Sequence, residues 1–310
     1  MNSKAIYHLV AFVVIVIWGS TFIFTKLLLL QGLSPANIFT LRFVIAYVLL
    51  LAFSPLLGQV RWCANSIWDE LLMLALGVTG GSLYFLTENA AMNYTTTTNT
   101  SLIVCMCPLF AALLISVFYK KERLHGWQIV GSLIAALGVI IVVLNGHFIL
   151  HLSPKGDALA FWACMCWAVY SLLMIPAGKR YDTFFITRKV FFYGLFTMIP
   201  YYIMWLEFPP LSTLLRSDTL FHLLFLGCIA STICFLTWNW VIKKLGAVIT
   251  TNYVYFNPVI TILCAWIVLS EQITGWFLLG TTLILTGLYL SARKNKIAYS
   301  SHKSSNNKNV

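Results

Sequence analysis

Residues 85–89 read FLTEN, and residues 235–239, which stand 150 positions later, read FLTWN. At the same offset Pro108 falls on Pro258. Further pairs, at an offset of 149, are Trp18 and Trp167, Glu122 and Glu271, Gly126 and Gly275, Gly131 and Gly280, and Gly138 and Gly287. Self-similarity at a fixed spacing indicates structural repeats, and here it predicts that the chain consists of two related halves.

The composition indicates the solvent in which these halves fold. Of 310 residues, 60% are hydrophobic and only 9% are charged, and the mean hydropathy is +0.87. An average soluble domain carries about 25% charged residues. The composition therefore excludes a soluble enzyme, a disordered protein and a disulfide-stapled secreted domain, and it predicts an all-α polytopic membrane protein.

A helix that crosses a hydrocarbon layer of roughly 30 Å needs about 20 apolar residues. Ten stretches meet this requirement: 8–30, 35–57, 68–92, 96–118, 126–144, 156–177, 184–205, 219–242, 247–269 and 275–292. Each half then has five spans, and because five is odd the second half enters the membrane inverted. The predicted units are a first repeat (1–145), an external linker (146–155), a second repeat (156–295) and a disordered cytoplasmic tail (296–310).

The cations give this topology a direction. With the N-terminus in the cytoplasm, 14 of the 20 Lys and Arg residues fall in cytoplasmic loops or the tail, and only Lys155 and Arg216 fall outside. By the positive-inside rule, both termini are predicted to be cytoplasmic, in a multi-pass protein of the cell (inner) membrane. The net charge of +11 therefore follows the loops, which argues against nucleic-acid binding.

Several motifs occur in a fixed order along the chain: Trp18-Gly19-Ser20, Lys26, Arg42, Pro108, Glu122 before Gly126-Trp127, Pro258, and Glu271 before Gly275-Trp276. This set resembles the drug/metabolite transporter superfamily, and specifically its EamA-type ten-helix permeases, from about Leu9 to Ser291. The resemblance implies two inverted five-helix repeats and a carrier, in particular an exporter, of small organic molecules. The second half departs from the first, because Ile175 stands where Lys26 would repeat.

Charged residues inside the predicted spans are the first candidates for a site. Glu88 is the one acidic residue well inside a span, and Lys26 and Arg42 lie in the outer half of neighbouring spans. An ionisable group at such depth costs about 2.5–3.5 kcal/mol on insertion scales and is a functional candidate by default. Glu88 either binds a proton or a substrate amine, or forms a structural ion network with Arg42 or Lys26. For Lys26, a side chain that snorkels to the interface is the favoured interpretation.

Polar and aromatic side chains near the predicted midplane complete the candidate substrate site. They are Trp18, Tyr84, Asn89, Trp167, Tyr170, Asn239, Asn252, Tyr253 and Tyr255. Pro108 and Pro258 each remove a backbone hydrogen bond in mid-span and are predicted to be a pair of gating points, although simple kinks for packing would also explain them. The repeated glycines of the fifth and tenth spans predict close helix packing.

Two other functional classes have recognisable sequence signatures. An intramembrane enzyme would need a His-Glu-x-x-His, a Gly-x-Ser-x-Gly or a paired-Asp motif, and the sequence has none. A channel or uncoupled facilitator, the alternative, would show a repeated filter sequence or re-entrant segments. His147 and His151 at i and i+4 are the sole hint of a metal, and no other ligand accompanies them. We therefore expect no cofactor and a transporter of small metabolites such as amino acids, with proton coupling and oligomeric state left open.

Overall fold

The computed structural model describes residues 3–56, 58, 61–95, 97–119, 126–144, 153–205, 208–269 and 275–292. Across these residues the regular structure is helical and contains no strand. The predicted all-α class is thereby confirmed. The predicted tail, most of the predicted linker, and Glu122, His147, His151 and Glu271 lie outside the described residues.

The helices follow the two predicted repeats. The first repeat contains α1 (Ser3–Leu30), α2 (Pro35–Phe53), α3 (Ile67–Gly77), α4 (Leu83–Tyr94), α5 (Thr97–Val104), α6 (Cys107–Phe118) and α7 (Gly126–Leu144). The second contains α8 (Pro154–Arg180), α9 (Thr183–Phe196), α10 (Ile199–Trp205), α11 (Leu211–Leu214), α12 (Ser217–Leu224), α13 (Cys234–Leu245), α14 (Ala247–Thr251), α15 (Asn257–Leu269) and α16 (Gly275–Ala292). A π-helical turn joins α3 to α4 (Val78–Ser82) and another joins α12 to α13 (Phe225–Ile233), while a 3-10 turn joins α14 to α15 (Asn252–Phe256).

The lengths of these helices agree with a membrane protein. Within the described ranges six helical stretches are long and apolar enough to cross a membrane: Ala5–Leu30, Pro35–Phe53, Ile67–Tyr94, Pro154–Arg180, Ser217–Leu245 and Ala247–Cys264. Shorter apolar helices coincide with three more predicted spans: Cys107–Phe118, Gly126–Ile141 and Leu278–Gly287. The chain is thus a multi-pass membrane protein, and the count of ten spans stays a prediction.

Local sequence explains where several helices begin. The Ser34 side chain accepts a hydrogen bond from the Asn37 amide at the start of α2, and Pro35 occupies the first helical position. In the second repeat the Asp182 carboxylate accepts from the Phe185 amide at the start of α9. Both are N-caps, which satisfy backbone donors that the first helical turn leaves free.

The helix breaks repeat with the sequence. The middle of the π turn at Val78–Ser82 lies 149 positions before the middle of the π turn at Phe225–Ile233. The break between Val104 and Cys107 lies at the same spacing from the 3-10 turn at Asn252–Phe256. The two halves of the chain therefore share their irregularities as well as their regular helices.

The prolines lie differently from what the sequence suggested. Pro108 and Pro258 do not kink continuous α-helices, because each is the second residue of a new helix, α6 or α15. Proline has no N–H and its ring clashes with a preceding helical turn, so it fits a helix start far better than a helix interior. The Val254 carbonyl before Pro258 accepts from the Cys105 Sγ at 3.3 Å and from the Asn257 amide.

The repeated glycines form the contact between α7 and α16, which are equivalent helices of the two repeats. A Cβ on Gly138 would lie 2.7 Å from the Gly280 carbonyl oxygen, and a Cβ on Gly287 would collide with the Gly131 carbonyl oxygen. The backbones therefore touch at both ends of the interface, as predicted for small residues repeated on one helix face.

We expect Gly287→Ala to lower the melting temperature of the purified protein by several degrees. Its methyl group would overlap backbone atoms of α7, and overpacking of this kind costs about 1–3 kcal/mol. Gly126→Ala is the matched control, because a Cβ there meets no atom within 4 Å. Equal melting temperatures for the two variants would contradict the α7–α16 contact.

Candidate functional site

A central cavity lies where the helix breaks of both repeats meet. Its lining residues are Trp18, Thr21 and Phe22 of α1, Arg42 of α2, Tyr84, Phe85 and Glu88 of α4, Val104, Cys107, Trp167, Phe235, Val254 and Asn257. Val104 and Cys107 flank the break between α5 and α6, while Val254 and Asn257 lie at the equivalent break before α15. The irregular backbone therefore faces this cavity, which is where a membrane protein tolerates it.

The cavity is small. The space accessible to the centre of a water molecule is about 30 Å³. One water needs about 10–15 Å³ on this measure, so the space suits roughly two waters. A metabolite the size of an amino acid would enter only if the surrounding helices moved apart.

Two opposite charges face this space from neighbouring helices. The Glu88 Oε1 accepts a hydrogen bond from the Tyr84 hydroxyl at 2.6 Å. The Arg42 Nε donates to the Ser231 Oγ at 2.9 Å, and its guanidinium carbon lies 4.4 Å from the centroid of the Phe85 ring. Each charge thus has a hydrogen bond inside the protein, and Arg42 also has the favourable face of an aromatic ring.

The salt bridges of the described residues do not include Arg42 or Glu88, so their charged atoms are more than 4.0 Å apart. Lys26 lies elsewhere: its Nζ donates to the Met92 carbonyl at 2.9 Å, at the end of α4, and it does not line the cavity. The structure therefore places Arg42 and Glu88 at the same cavity, whereas Lys26 forms its hydrogen bond outside the cavity lining.

Aromatic rings build the walls between these charges. The repeat-related pair Trp18 and Trp167 meets edge to face at 5.4 Å between ring centroids, and Tyr84 packs on Trp167 at 5.1 Å. The Trp18 Nε1 donates to the Ala230 carbonyl at 2.9 Å. Ala230 lies in the π turn Phe225–Ile233, so the irregular turn supplies the acceptor that fixes this ring.

Three predicted site residues point away from the cavity in this structure. The Tyr170 hydroxyl donates to the Asn239 Oδ1 at 2.7 Å, and the Asn239 Nδ2 donates to the Thr187 Oγ1 at 2.9 Å. The Asn89 Nδ2 donates to the Pro35 carbonyl at 3.3 Å. Because successive residues of a helix point about 100° apart, Asn89 cannot share the direction of Glu88. These polar groups tie helices to one another.

Asn252 and Tyr253 line a different cavity. It offers about 470 Å³ of water-accessible space between α1, the 3-10 turn and α16, and its lining also includes His8 and Tyr289. The His8 Nδ1 and the Tyr253 hydroxyl are 2.7 Å apart. Tyr255 is buried but lines neither cavity. The structure therefore does not place these three residues with Glu88 and Arg42.

Several lining residues were not predicted although the sequence carried a usable signal for them. Phe85 and Phe235 belong to the repeated stretch itself, and Asn257 immediately precedes the repeated Pro258. Ser231 holds Arg42 and showed no pattern of its own. Among the described residues no group of three or more His, Cys, Asp or Glu side chains is arranged to hold a metal.

A polar cluster closes each end of the cavity-lining helices. The cluster at one end consists of Asp69, Glu70, Arg180, Tyr181 and Lys189 and is called the Asp69 cluster. In it the Arg180 Nη1 lies 2.5 Å from the Asp69 Oδ1, and the Tyr181 hydroxyl donates to the Asp69 Oδ2 at 2.7 Å. The Lys189 Nζ lies 2.8 Å from the Glu70 Oε1. These contacts join the start of α3 in the first repeat to α8 and α9 in the second.

The other end has an equivalent cluster made of weaker contacts. In the Asp218 cluster (Gln31, Asp218 and Thr219), the Gln31 Nε2 donates to the Asp218 Oδ2 at 2.9 Å, and the Thr219 Oγ1 donates to the Gln31 Oε1 at 2.9 Å. Asp218 and Gln31 each stand 149 positions from Asp69 and Arg180. The repeat thus places one cluster at the end of α1 and the other at the end of α8, and only the second contains an ion pair between the repeats.

Comparisons with known proteins agree with this architecture. The model of the EamA-like transporter family matches residues 5–144 and again residues 154–293. A crystal structure of a protein with 20% sequence identity superposes with a TM-score of 0.69, covering 93% of this chain and 96% of the other. At that identity the superposition shows a shared fold.

Relatives of full length are transporters by name. An "uncharacterized transporter" of Archaeoglobus fulgidus is 28% identical over 95% of this chain and 99% of its own. A "probable amino-acid metabolite efflux pump" of Escherichia coli is 25% identical over 91% of this chain and 93% of its own. A "probable terminal-alkyne amino-acid exporter" of Streptantibioticus cattleyicolor is 26% identical over 94% of each chain.

The double match covers both repeats around the central cavity and leaves the intramembrane enzyme without support. This chain is a membrane transporter that belongs to the EamA-like transporter family.

Proposed function

We propose that this transporter exports small organic metabolites such as amino acids across the cytoplasmic membrane by alternating access. It spans the membrane ten times, with both termini in the cytoplasm, and Glu88 couples transport to protons. The observation that carries the proposal is the central cavity, into which Glu88 and Arg42 face from helices of one repeat, while residues at the α5–α6 break and at the equivalent break before α15 also line it. Inverted-repeat transporters have their sites at this place. The names of the Escherichia coli and Streptantibioticus relatives support the substrate class and the direction.

The two end clusters supply the alternating states. In one state the Asp69 cluster is closed and the Asp218 cluster open, and in the other the reverse holds. Because the clusters are related by the repeat, each half exchanges its conformation with the other around a fixed site. In the present structure both clusters are formed, in agreement with the small volume of the cavity.

The clusters also make the two states unequal in stability. On the proposed topology the Asp69 cluster is cytoplasmic, and it contains two ion pairs between the repeats. The external Asp218 cluster joins the repeats through neutral Gln31. The cytoplasmic end is therefore held more firmly, and loading from the cytoplasm requires that substrate binding offset the loss of these ion pairs.

A substrate screen tests the proposed function directly. Purified protein in proteoliposomes is loaded with labelled amino acids, with and without an imposed pH gradient, and efflux is followed. Saturable efflux that the gradient accelerates supports a coupled carrier. Rapid downhill flux of ions without saturation would instead identify a channel, and failure to move any solute would contradict the proposal.

Glu88→Gln removes the proton-binding group and keeps its size. We expect this variant to lose the acceleration by a pH gradient while it retains exchange of substrate across the membrane. The control is Asp157→Asn, because the Asp157 carboxylate accepts from the Ser153 amide at the start of α8 and lies outside the cavity lining. A Glu88→Gln protein with an unchanged pH profile would exclude Glu88 as the coupling group.

Weakening the Asp69 cluster and strengthening the Asp218 cluster should shift the protein in the same direction. Arg180→Gln removes an ion pair between the repeats, and Gln31→Arg adds a cation from the first repeat beside Asp218, which Arg216 of the second repeat already contacts at 3.1 Å. Each change should raise the rate at which a charged methanethiosulfonate reagent modifies Cys107 in the cavity from the cytoplasmic side. About two- to five-fold is expected, since Arg180 is largely exposed and exposed ion pairs contribute about 0.2–1 kcal/mol.

In this assay the signal that disappears with Cys107→Ala defines the reaction of Cys107. Lys179→Gln is the matched control for Arg180→Gln, because it removes the same charge from the neighbouring exposed residue without a contact to Asp69. If Lys179→Gln and Arg180→Gln raised the rate equally, general surface charge and not the cluster would govern access.

A comparison of Tyr84 with Tyr170 distinguishes a role in the site from a role in helix packing. Each is a buried tyrosine with one hydrogen bond from its hydroxyl, to Glu88 in one case and to Asn239 in the other. Replacement by Phe should cost each protein about 1 kcal/mol of stability. We expect only Tyr84→Phe to change the transport rate, by about ten-fold, because only Tyr84 positions a charged group of the cavity. Equal transport rates in the two variants would contradict this role.

A further inference from the structure

Hydrogen bonds account for most polar atoms around the central cavity. Trp18 donates to Ala230, Thr21 donates to the Trp18 carbonyl, and Tyr84 donates to Glu88. Two lining residues differ. The Trp167 Nε1 and the Asn257 Oδ1 are fully buried and have no hydrogen-bond partner in the described structure. Their side chains are 4% and 5% exposed.

Such atoms bear on what the site accepts when their residues line it. Burying a polar atom without a partner costs stability, and a bound ligand that supplies the partner would offset this cost. The indole N–H is only a donor, and an amide oxygen is only an acceptor. One residue with an orphaned donor and one residue with an orphaned acceptor therefore line the same cavity.

The two buried charges likewise combine a donor with an acceptor. Arg42 uses its Nε on Ser231 and presents further N–H donors, while Glu88 uses its Oε1 on Tyr84 and has a second oxygen. The cavity thus offers a cation and a donor for a carboxylate, and an anion and an acceptor for an ammonium group. A simple amine would leave Arg42 and Trp167 unmatched, and a simple carboxylic acid would leave Glu88 and Asn257 unmatched.

We propose that the substrate is a zwitterion with one ammonium and one carboxylate group on a compact apolar frame, and that Trp167 and Asn257 determine this specificity. The Trp167 N–H donates to the carboxylate, and the Asn257 amide oxygen accepts from the ammonium group. The rings of Trp18, Phe85 and Phe235 contact the apolar frame. This inference rests on the proposed transport function and specifies what it transports.

The test compares three related probes in proteoliposomes: L-phenylalanine, its decarboxylated amine 2-phenylethylamine and its deaminated acid 3-phenylpropionate. The same triplets are assembled for leucine and alanine, so that the size of the frame is varied separately. We expect saturable transport of at least one amino acid, with its amine and its acid at least ten-fold poorer substrates. This arm uses the unaltered protein and therefore does not depend on the folding of any variant.

Two variants then test which residue binds the carboxylate and which binds the ammonium group. Trp167→Phe should raise the KM for the amino acid about ten-fold or more and reduce the discrimination against the amine, because the partner of the carboxylate is gone. Asn257→Leu should raise the KM similarly and reduce the discrimination against the acid. Each change removes an orphaned buried polar atom and no hydrogen bond, so any fall in melting temperature reports lost side-chain packing and is compared with that of the control variant below.

Trp238→Phe is the matched control. The Trp238 Nε1 is likewise buried without a partner, and its ring packs on Trp18 at 4.9 Å, but Trp238 does not line the cavity. Its KM and its selectivity should be unchanged. A Trp167→Phe protein that behaves like Trp238→Phe would overturn the assignment.

The outcomes also separate this inference from the proposed function. Transport of an amine or an acid as fast as the amino acid would overturn the zwitterion while leaving the exporter intact. Absence of transport for every probe and every solute of the wider screen would overturn both.

Discussion

The constraint on which the structure depends is that backbone polar groups in an apolar environment must find partners inside the protein. The chain meets it with helices, and where helices break, the breaks face inward. Of the carbonyls at these breaks, that of Ala230 accepts from the Trp18 Nε1 and that of Val254 accepts from the Cys105 Sγ. The central cavity lies at these breaks because there irregular backbone can be satisfied by side chains of neighbouring helices.

The two repeats of the chain give this arrangement a two-fold character, from single residues to whole helices. Trp18 and Trp167 meet at the centre, the glycines of α7 and α16 meet at one side, and the Asp69 and Asp218 clusters occupy opposite ends. Divergence between the halves then breaks the symmetry. Among the described residues, buried charges reach the cavity only from the first repeat, and ion pairs join the repeats only in the Asp69 cluster. A repeated fold thereby acquires an asymmetric site and, on the proposed mechanism, two states of unequal stability.

Much of the site could be predicted from residue types, although not all of it. Glu88 and Arg42 are conspicuous because charge is costly in an apolar span, and Trp18, Tyr84 and Trp167 combine aromatic faces with polar atoms. All five line the cavity. Asn89, Tyr170 and Asn239 do not line this cavity, since one residue along a helix rotates a side chain by about 100° and depth alone does not reveal the facing side. Lys26 shares a helix face with Trp18 and Phe22 but lies further along α1, where its Nζ reaches the Met92 carbonyl near the end of α4.

The apolar environment, the helical class, the repeat and the short set of charged and aromatic residues of the site all follow from the order of the amino acids. Hydrophobic composition, the 149–150-residue offset and the cost of buried charge are all properties of the linear chain. Three-dimensional packing was needed to establish that Pro108 and Pro258 start helices, that Arg42 binds Ser231 and not Glu88, and that Trp167 and Asn257 remain unpaired at the cavity. These outcomes depend on which helix faces meet, and that is settled by packing between residues more than a hundred positions apart.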